Sequence, residues 1–348
     1  MTRLRILVLI VGPIPIVLGS FGLSRLLKPS VAPRAEPNHV VAHHDRLLPM
    51  MAEGHPQTSQ RLELESNVPS DLPRFEVADS LRLACDHQAD VWREQLGDDC
   101  HVVVRAPFVL AGDLTDESLI TWHRNTIEPA SRAMACSYFP KRPDAPISVL
   151  LFSGERSYEH YAKTLFADTG VSIYGYYKRG QRVLVMNIAT GGGTLVHELT
   201  HALADFDCPR IPDWLNEGLA SLHEQCRFRP DGSGIEGLEN WRLPKLQEAI
   251  RAERLRSLAS LVGDDDFREH DLGLNYAQAR YFCMYLDRRG LLQDFFRRWR
   301  KTQRDDALAV QAVRDTFADQ DWDELDRAYR EWVLTLTWPR TPVEQPAE

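Results

Sequence analysis

Thr194-Leu195-Val196-His197-Glu198-Leu199-Thr200-His201-Ala202-Leu203 is the stretch on which the reading of this 348-residue chain turns. Leu195, Val196, Leu199 and Leu203 recur at helical spacing, so the segment predicts a helix with one apolar face for a core. His197 and His201 are four residues apart, which places both imidazoles on one face, where they can grip a single metal ion. Glu198 then sits beside that ion. Two neutral nitrogen ligands at about 2 Å, with a carboxylate able to take a proton from water, suit zinc-assisted hydrolysis. Gly191, Gly192 and Gly193 precede the helix. A phosphate cradle would need a following Lys-Ser/Thr pair or a Gly-x-Gly-x-x-Gly pattern; neither is present, so a flexible loop entering the helix is expected.

A hydrolytic zinc site needs a third protein ligand and one open position. The best candidate lies in Ile211-Pro212-Asp213-Trp214-Leu215-Asn216-Glu217-Gly218-Leu219-Ala220. Pro212 fixes its own backbone angle and Asp213 can accept from unpaired amides, so a helix is expected to start here with Glu217 in its second turn. Asp205, Asp207, His223 and Glu224 are rivals in the same region. His223 lies six residues beyond Glu217 and points well away from it, and Glu224 lies two turns along, so the helical period favours Glu217.

His-Glu-x-x-His-Ala followed by Pro-x-Trp-Leu-x-Glu-Gly-Leu-Ala resembles the gluzincin metallopeptidases, the clan containing thermolysin and the aminopeptidase N group. The similarity is greatest to the peptidase-MA-like proteins and covers roughly residues 146 to 292. It implies His197, His201 and Glu217 as zinc ligands and Glu198 as general base and acid. Fifteen residues separate His201 from Glu217, fewer than in thermolysin, so the connecting loop must be shorter. The aminopeptidase signature Gly-x-Met-Glu-Asn has no equivalent: Gln181-Arg182-Val183-Leu184-Val185-Met186-Asn187 is the nearest segment and lacks the glutamate. The resemblance also implies a catalytic role for Tyr276 in Asn275-Tyr276-Ala277-Gln278, facing the zinc as a donor to the developing oxyanion. Tyr276 also falls at helical spacing with Arg280 and Cys283, so a core tyrosine is the competing reading, and Tyr281 is a second candidate.

Length and composition fit one sizeable globular body: 43% of residues are hydrophobic and 26% charged. The net charge of -9 is carried by the part after the slightly basic first seventy residues. An acidic body argues against a nucleic-acid partner. Arg297-Arg298-Trp299-Arg300-Lys301 is expected to be a solvated helix face.

Arg3 and Arg5 precede an uncharged run from Ile6 to Leu23, and Arg25 and Lys28 end it. Residues 1–28 are therefore expected to act as a signal anchor or signal peptide engaging a membrane, with the body outside the cytoplasm. Residues 29–73, rich in Pro, His, Glu, Ser and Gln, read as a linker, with His39, His43, His44 and His55 as solvated side chains. The six cysteines, an even number, favour disulfides in an exported domain, with Cys208–Cys226 and Cys85–Cys100 as the local pairings.

For the body, 74–340, the pattern predicts a helix near 79–95, a strand over 101–110, a long helix from about 115 to 137, a strand over 147–152 and a helix over 155–167. A strand pair over 173–177 and 182–188 follows, the second being the expected edge strand beside the cleft. Everything after Pro244 is helical in pattern. The expectation is an α+β zincin-like fold: an N-terminal mixed β-sheet with helices, then an all-helical part, and a zinc cleft between them. The expected activity is extracytoplasmic zinc-dependent cleavage of a peptide or protein substrate bound along the edge strand. A non-catalytic zincin-fold binding protein of the envelope and a zinc hydrolase of a non-peptide amide are the alternatives.

Overall fold

The computed structural model describes residues 77–338 apart from 230, 231, 233 and 319. The expected anchor, the linker and its histidines lie outside the described residues. No described helix is long and apolar enough to cross a membrane.

Helix α1 (Asp79–Leu96) leads into a hairpin of β1 (His101–Arg105) and β2 (Phe108–Gly112). The single strand expected over 101–110 is thus two strands. Pro107 cannot donate to a ladder, and it occupies the two-residue turn where Arg105 faces Phe108. Helices α2 (Asp116–Trp122) and α3 (Glu128–Ser137) carry the long helix expected over 115–137, joined by a wider i→i+5 turn at His123–Ile127. That turn sits directly ahead of Pro129, which cannot make a helical hydrogen bond. Strand β3 (Ile147–Phe152), helix α4 (Glu155–Phe166) and strands β4 (Gly175–Lys178) and β5 (Val183–Asn187) complete a five-stranded mixed sheet.

Its order is β1-β2-β3-β5-β4, with β2, β3 and β5 parallel and both edge strands antiparallel. The edge strand is therefore β4, and β5 is interior, which corrects the expectation for 182–188. The reason is visible in the side chains. Leu184 and Met186 of β5 join the larger core, while Val183 and Val185 join a second cluster with Cys85, Trp92 and Tyr158 under α1 and α4. A strand buried on both faces is an interior strand.

Helices α5 (Gly192–Asp207) and α6 (Asp213–Glu224) follow the sheet. An unforeseen small hairpin, β6 (Cys226–Phe228) with β7 (Ile235–Gly237), precedes the helical part: α7 (Leu243–Arg251), α8 (Leu258–Gly263), α9 (Leu272–Arg288), α10 (Leu292–Thr302), α11 (Val310–Thr316) and α12 (Trp322–Thr335). The fold is α+β, a mixed sheet with helices followed by helices. In α10, Trp299 is buried while Arg297 pairs with Asp294 and Arg300 with Asp207, so the basic run is a helix face with its own acidic partners.

All six cysteines are free thiols, so neither expected disulfide is present. Cys85 lies about 16 Å of helix axis before the end of α1, and a turn from Gly97 O to Cys100 N–H keeps Cys100 at that end. Cys208 and Cys226 flank opposite ends of α6, a twelve-residue helix about 18 Å long. A disulfide needs Cα atoms within about 7 Å. The spacing that brackets α6 is what keeps the two thiols apart.

Candidate metal centre

Helix α5 lies against β4 and β5 on one side and α6 on the other, and α6 is in turn packed on α9. Leu195, Leu199 and Ala202 are fully buried, so the apolar face read from the sequence does anchor the helix. Gly191 has φ +102°, and a Cβ on Gly193 would lie 2.4 Å from the Glu224 carbonyl oxygen. The triplet is therefore the start of α5 and a close contact with α6 rather than a flexible loop. On α6, Trp214 packs against Phe282 and Phe295 and donates to Leu308 O at 2.9 Å. Gly218 lies so close to α9 that a Cβ there would be 2.7 Å from Cys283 Sγ and 2.9 Å from Ala279 O. Gly218→Ala is expected to destabilise the fold by about 1–3 kcal/mol through overpacking, read from the urea midpoint.

These contacts bring three donor groups together. Nε2 of His197 and Nε2 of His201 each lie 3.5 Å from Oε2 of Glu217, and the three form the one candidate metal-holding group among the described residues. A separation of 3.5 Å is long for a hydrogen bond. It matches the edge, about 3.4 Å, of a tetrahedron whose ligands sit about 2.0–2.1 Å from a central ion. Glu217 Oε2 is moreover buried without a hydrogen-bond partner among the described residues, an arrangement that an ion would relieve. The donor set fits a divalent metal ion.

The other atoms of these side chains are held. Nδ1 of His201 donates to Asn216 Oδ1 at 3.0 Å, which makes Nε2 the nitrogen left for a metal once its proton is displaced. Glu217 Oε1 accepts from Arg268 Nη2 at 2.9 Å, and Arg268 also binds Asp213 through Nε at 2.7 Å and Nη2 at 3.1 Å. Neither Asn216 nor Arg268 was anticipated from the sequence. Asn216 adjoins Glu217 and could have been found from the helix register, whereas Arg268 has no local signal.

Glu198 is buried at 6% exposure, on α5 beside the group, and a backbone bond from Tyr177 of β4 reaches it. Burial raises its pKa, with His197 and His201 opposing and Glu217 adding. Tyr276 is 1% exposed, with its ring 5.6 Å from Phe267 and its hydroxyl facing the Glu217 carboxylate. Burial first, then Glu217, pushes its pKa well up. Tyr281 is turned elsewhere, accepting the Asn240 N–H at 3.0 Å. The rival ligands are engaged away from the centre. Asp205 accepts from Tyr177 and Arg179, Asp207 from Arg300 and the Lys141 amide, and Glu224 pairs with Arg242. His223 donates from Nδ1 to Thr200 Oγ1 at 3.1 Å, and burial, then Arg280 and His197, push its pKa down to about 3. Side-chain exposures of 14% for His201 and 34% for Arg268 put the opening to solvent on their side.

For the two coupled groups, burial works against ionisation and the partners outweigh it. Glu217 is held well below the ordinary carboxylate range by His201, His197 and Arg268, and His201 is raised to about 9, chiefly by Glu217. A histidine raised in this way keeps its proton, and its stabilising pairing, until pH passes about 9. A metal at Nε2 must displace that proton. Metal affinity is therefore expected to rise about tenfold per pH unit from neutrality towards pH 9, with about one proton released on binding. Calorimetry in buffers of different ionisation enthalpy measures that release, and a pH-independent affinity would contradict it.

Compared with known proteins, the chain matches no protein-family model and no curated protein.

Proposed function

We propose that this chain is a zinc-dependent hydrolase of peptide bonds with a zincin-like, gluzincin-type fold. The observation that carries the reading is the convergence of His197 Nε2 and His201 Nε2 on Glu217 Oε2, each at 3.5 Å, with the buried Glu198 carboxylate beside them on the helix of the two histidines. Zinc, when bound, supplies a Lewis acid that polarises a carbonyl and makes water more acidic.

The residues of the chain supply the rest. Glu198 takes a proton from the attacking water and returns it to the leaving amine as the C–N bond breaks, and burial lifts its pKa towards the range where a carboxylate serves as both base and acid. Asn216 fixes the tautomer of His201. Among the described residues strand β4 pairs with β5 on one side only, and Tyr177 lies beside Glu198, so the outer edge of β4 offers main-chain groups to an extended substrate. Tyr276 stands near Glu198 and Glu217, where its hydroxyl can steady charge that develops during attack. The uncharged run Ile6–Leu23 supports a membrane-associated place outside the cytoplasm.

The test is incubation of the full chain, loaded with zinc and then stripped by a chelator, with a diverse peptide library, reading new termini by mass spectrometry. Cleavage by the loaded protein that chelation abolishes and zinc restores is expected. Stoichiometric zinc without peptide cleavage would overturn the peptidase reading in favour of a binding role or a non-peptide amide substrate.

A further inference from the structure

Glu217 presents its two oxygens to different surroundings. Oε2 faces His197 and His201 at 3.5 Å and, among the described residues, is buried without a hydrogen-bond partner. Oε1 accepts from Arg268 Nη2 at 2.9 Å. The guanidinium cannot follow the carboxylate freely, because Nε and Nη2 also grip the two oxygens of Asp213, one turn earlier on α6, at 2.7 and 3.1 Å. Arg268 comes from the segment between α8 and α9, and that segment is itself tied down: Arg256 binds Asp266 at 2.7 Å, and Asn275 Nδ2 donates to the carbonyls of Phe267 and His270 at 2.8 Å each.

We infer that Arg268 is a positioning residue that commits Glu217 to one-oxygen ligation, so that the metal keeps an open position for water. The inference rests on reading His197, His201 and Glu217 as metal ligands. A carboxylate with both oxygens free can close on an ion through both and fill the position that water needs. A planar arginine fork shared between Asp213 and Glu217 occupies Oε1 and leaves Oε2 alone for the ion. Lysine, a point charge with no fork, can neutralise the carboxylates but cannot hold both in one plane.

The experiment titrates the full chain, Arg268→Ala and Arg268→Lys with Co2+, reading affinity together with the visible d–d bands, whose intensity falls as coordination number rises. Wild type is expected to bind one Co2+ with the strong bands of a low-coordinate site. Arg268→Ala is expected to bind about 10- to 100-fold more weakly, with weakened bands as Oε1 joins the ion. Arg268→Lys is expected to recover part of the affinity while its bands stay weakened, and it carries the test by itself if the alanine variant does not fold. Wild-type bands and affinity in a folded variant would overturn the inference and leave the metal centre standing. A wild-type chain that binds no Co2+ would overturn both.

Discussion

Replacing Glu198 with glutamine is expected to leave metal binding intact and to lower kcat/KM for the proposed peptide cleavage by about 10²- to 10⁴-fold, the usual range for a lost general base. The substitution preserves size and most of the shape, so the buried position at 6% exposure still packs. Its amide cannot accept a proton from water. Metal binding is expected to be unaffected because Glu198 is not one of the three converging donors. Metal content and peptide turnover measured on the same preparation separate the two effects. A variant that keeps full turnover, or one that loses its metal, would contradict the assignment of Glu198 as the base.

Glu217→Ala is expected to show the opposite signature: affinity for zinc falling by more than about 100-fold, beyond what loss of an outer-shell partner costs, with turnover falling with it. Two imidazoles remain, but the anionic donor is gone and the charge of Arg268, 2.9 Å from Oε1 in the wild type, is no longer offset by Glu217. The loss also reaches His201, because Glu217 is the group that holds its pKa up near 9 against burial. In the metal-free variant His201 should therefore titrate at lower pH than in the metal-free wild type, a shift that NMR of the imidazole protons reads directly. An unchanged His201 titration with unchanged zinc affinity would remove Glu217 from the centre.

The parts of the centre carried by helical period were legible in the chain. His197, His201 and the apolar face beneath them lie within one helix, and Glu217 follows from the start of the next, so local spacing placed all three. Arg268 arrives from another segment more than fifty residues beyond Glu217, and only tertiary packing brings it to Oε1. The edge strand was misplaced although a signal existed. Val183-Leu184-Val185-Met186 is a continuous apolar run, the mark of a strand buried on both faces, whereas Tyr176-Tyr177-Lys178 suits the rim. The cysteines misled because an even count carries no geometry: the lengths of α1 and α6 hold the expected partners apart.

The proposed hydrolytic function requires one metal ion seated among His197, His201 and Glu217. A crystal of the zinc-loaded chain, with anomalous differences recorded on both sides of the zinc absorption edge, tests it. The result expected is a single strong peak about 2 Å from His197 Nε2, His201 Nε2 and Glu217 Oε2, present only above the edge. No peak there in zinc-loaded crystals, or a peak held by other residues, would contradict the metal centre and the hydrolytic function built on it.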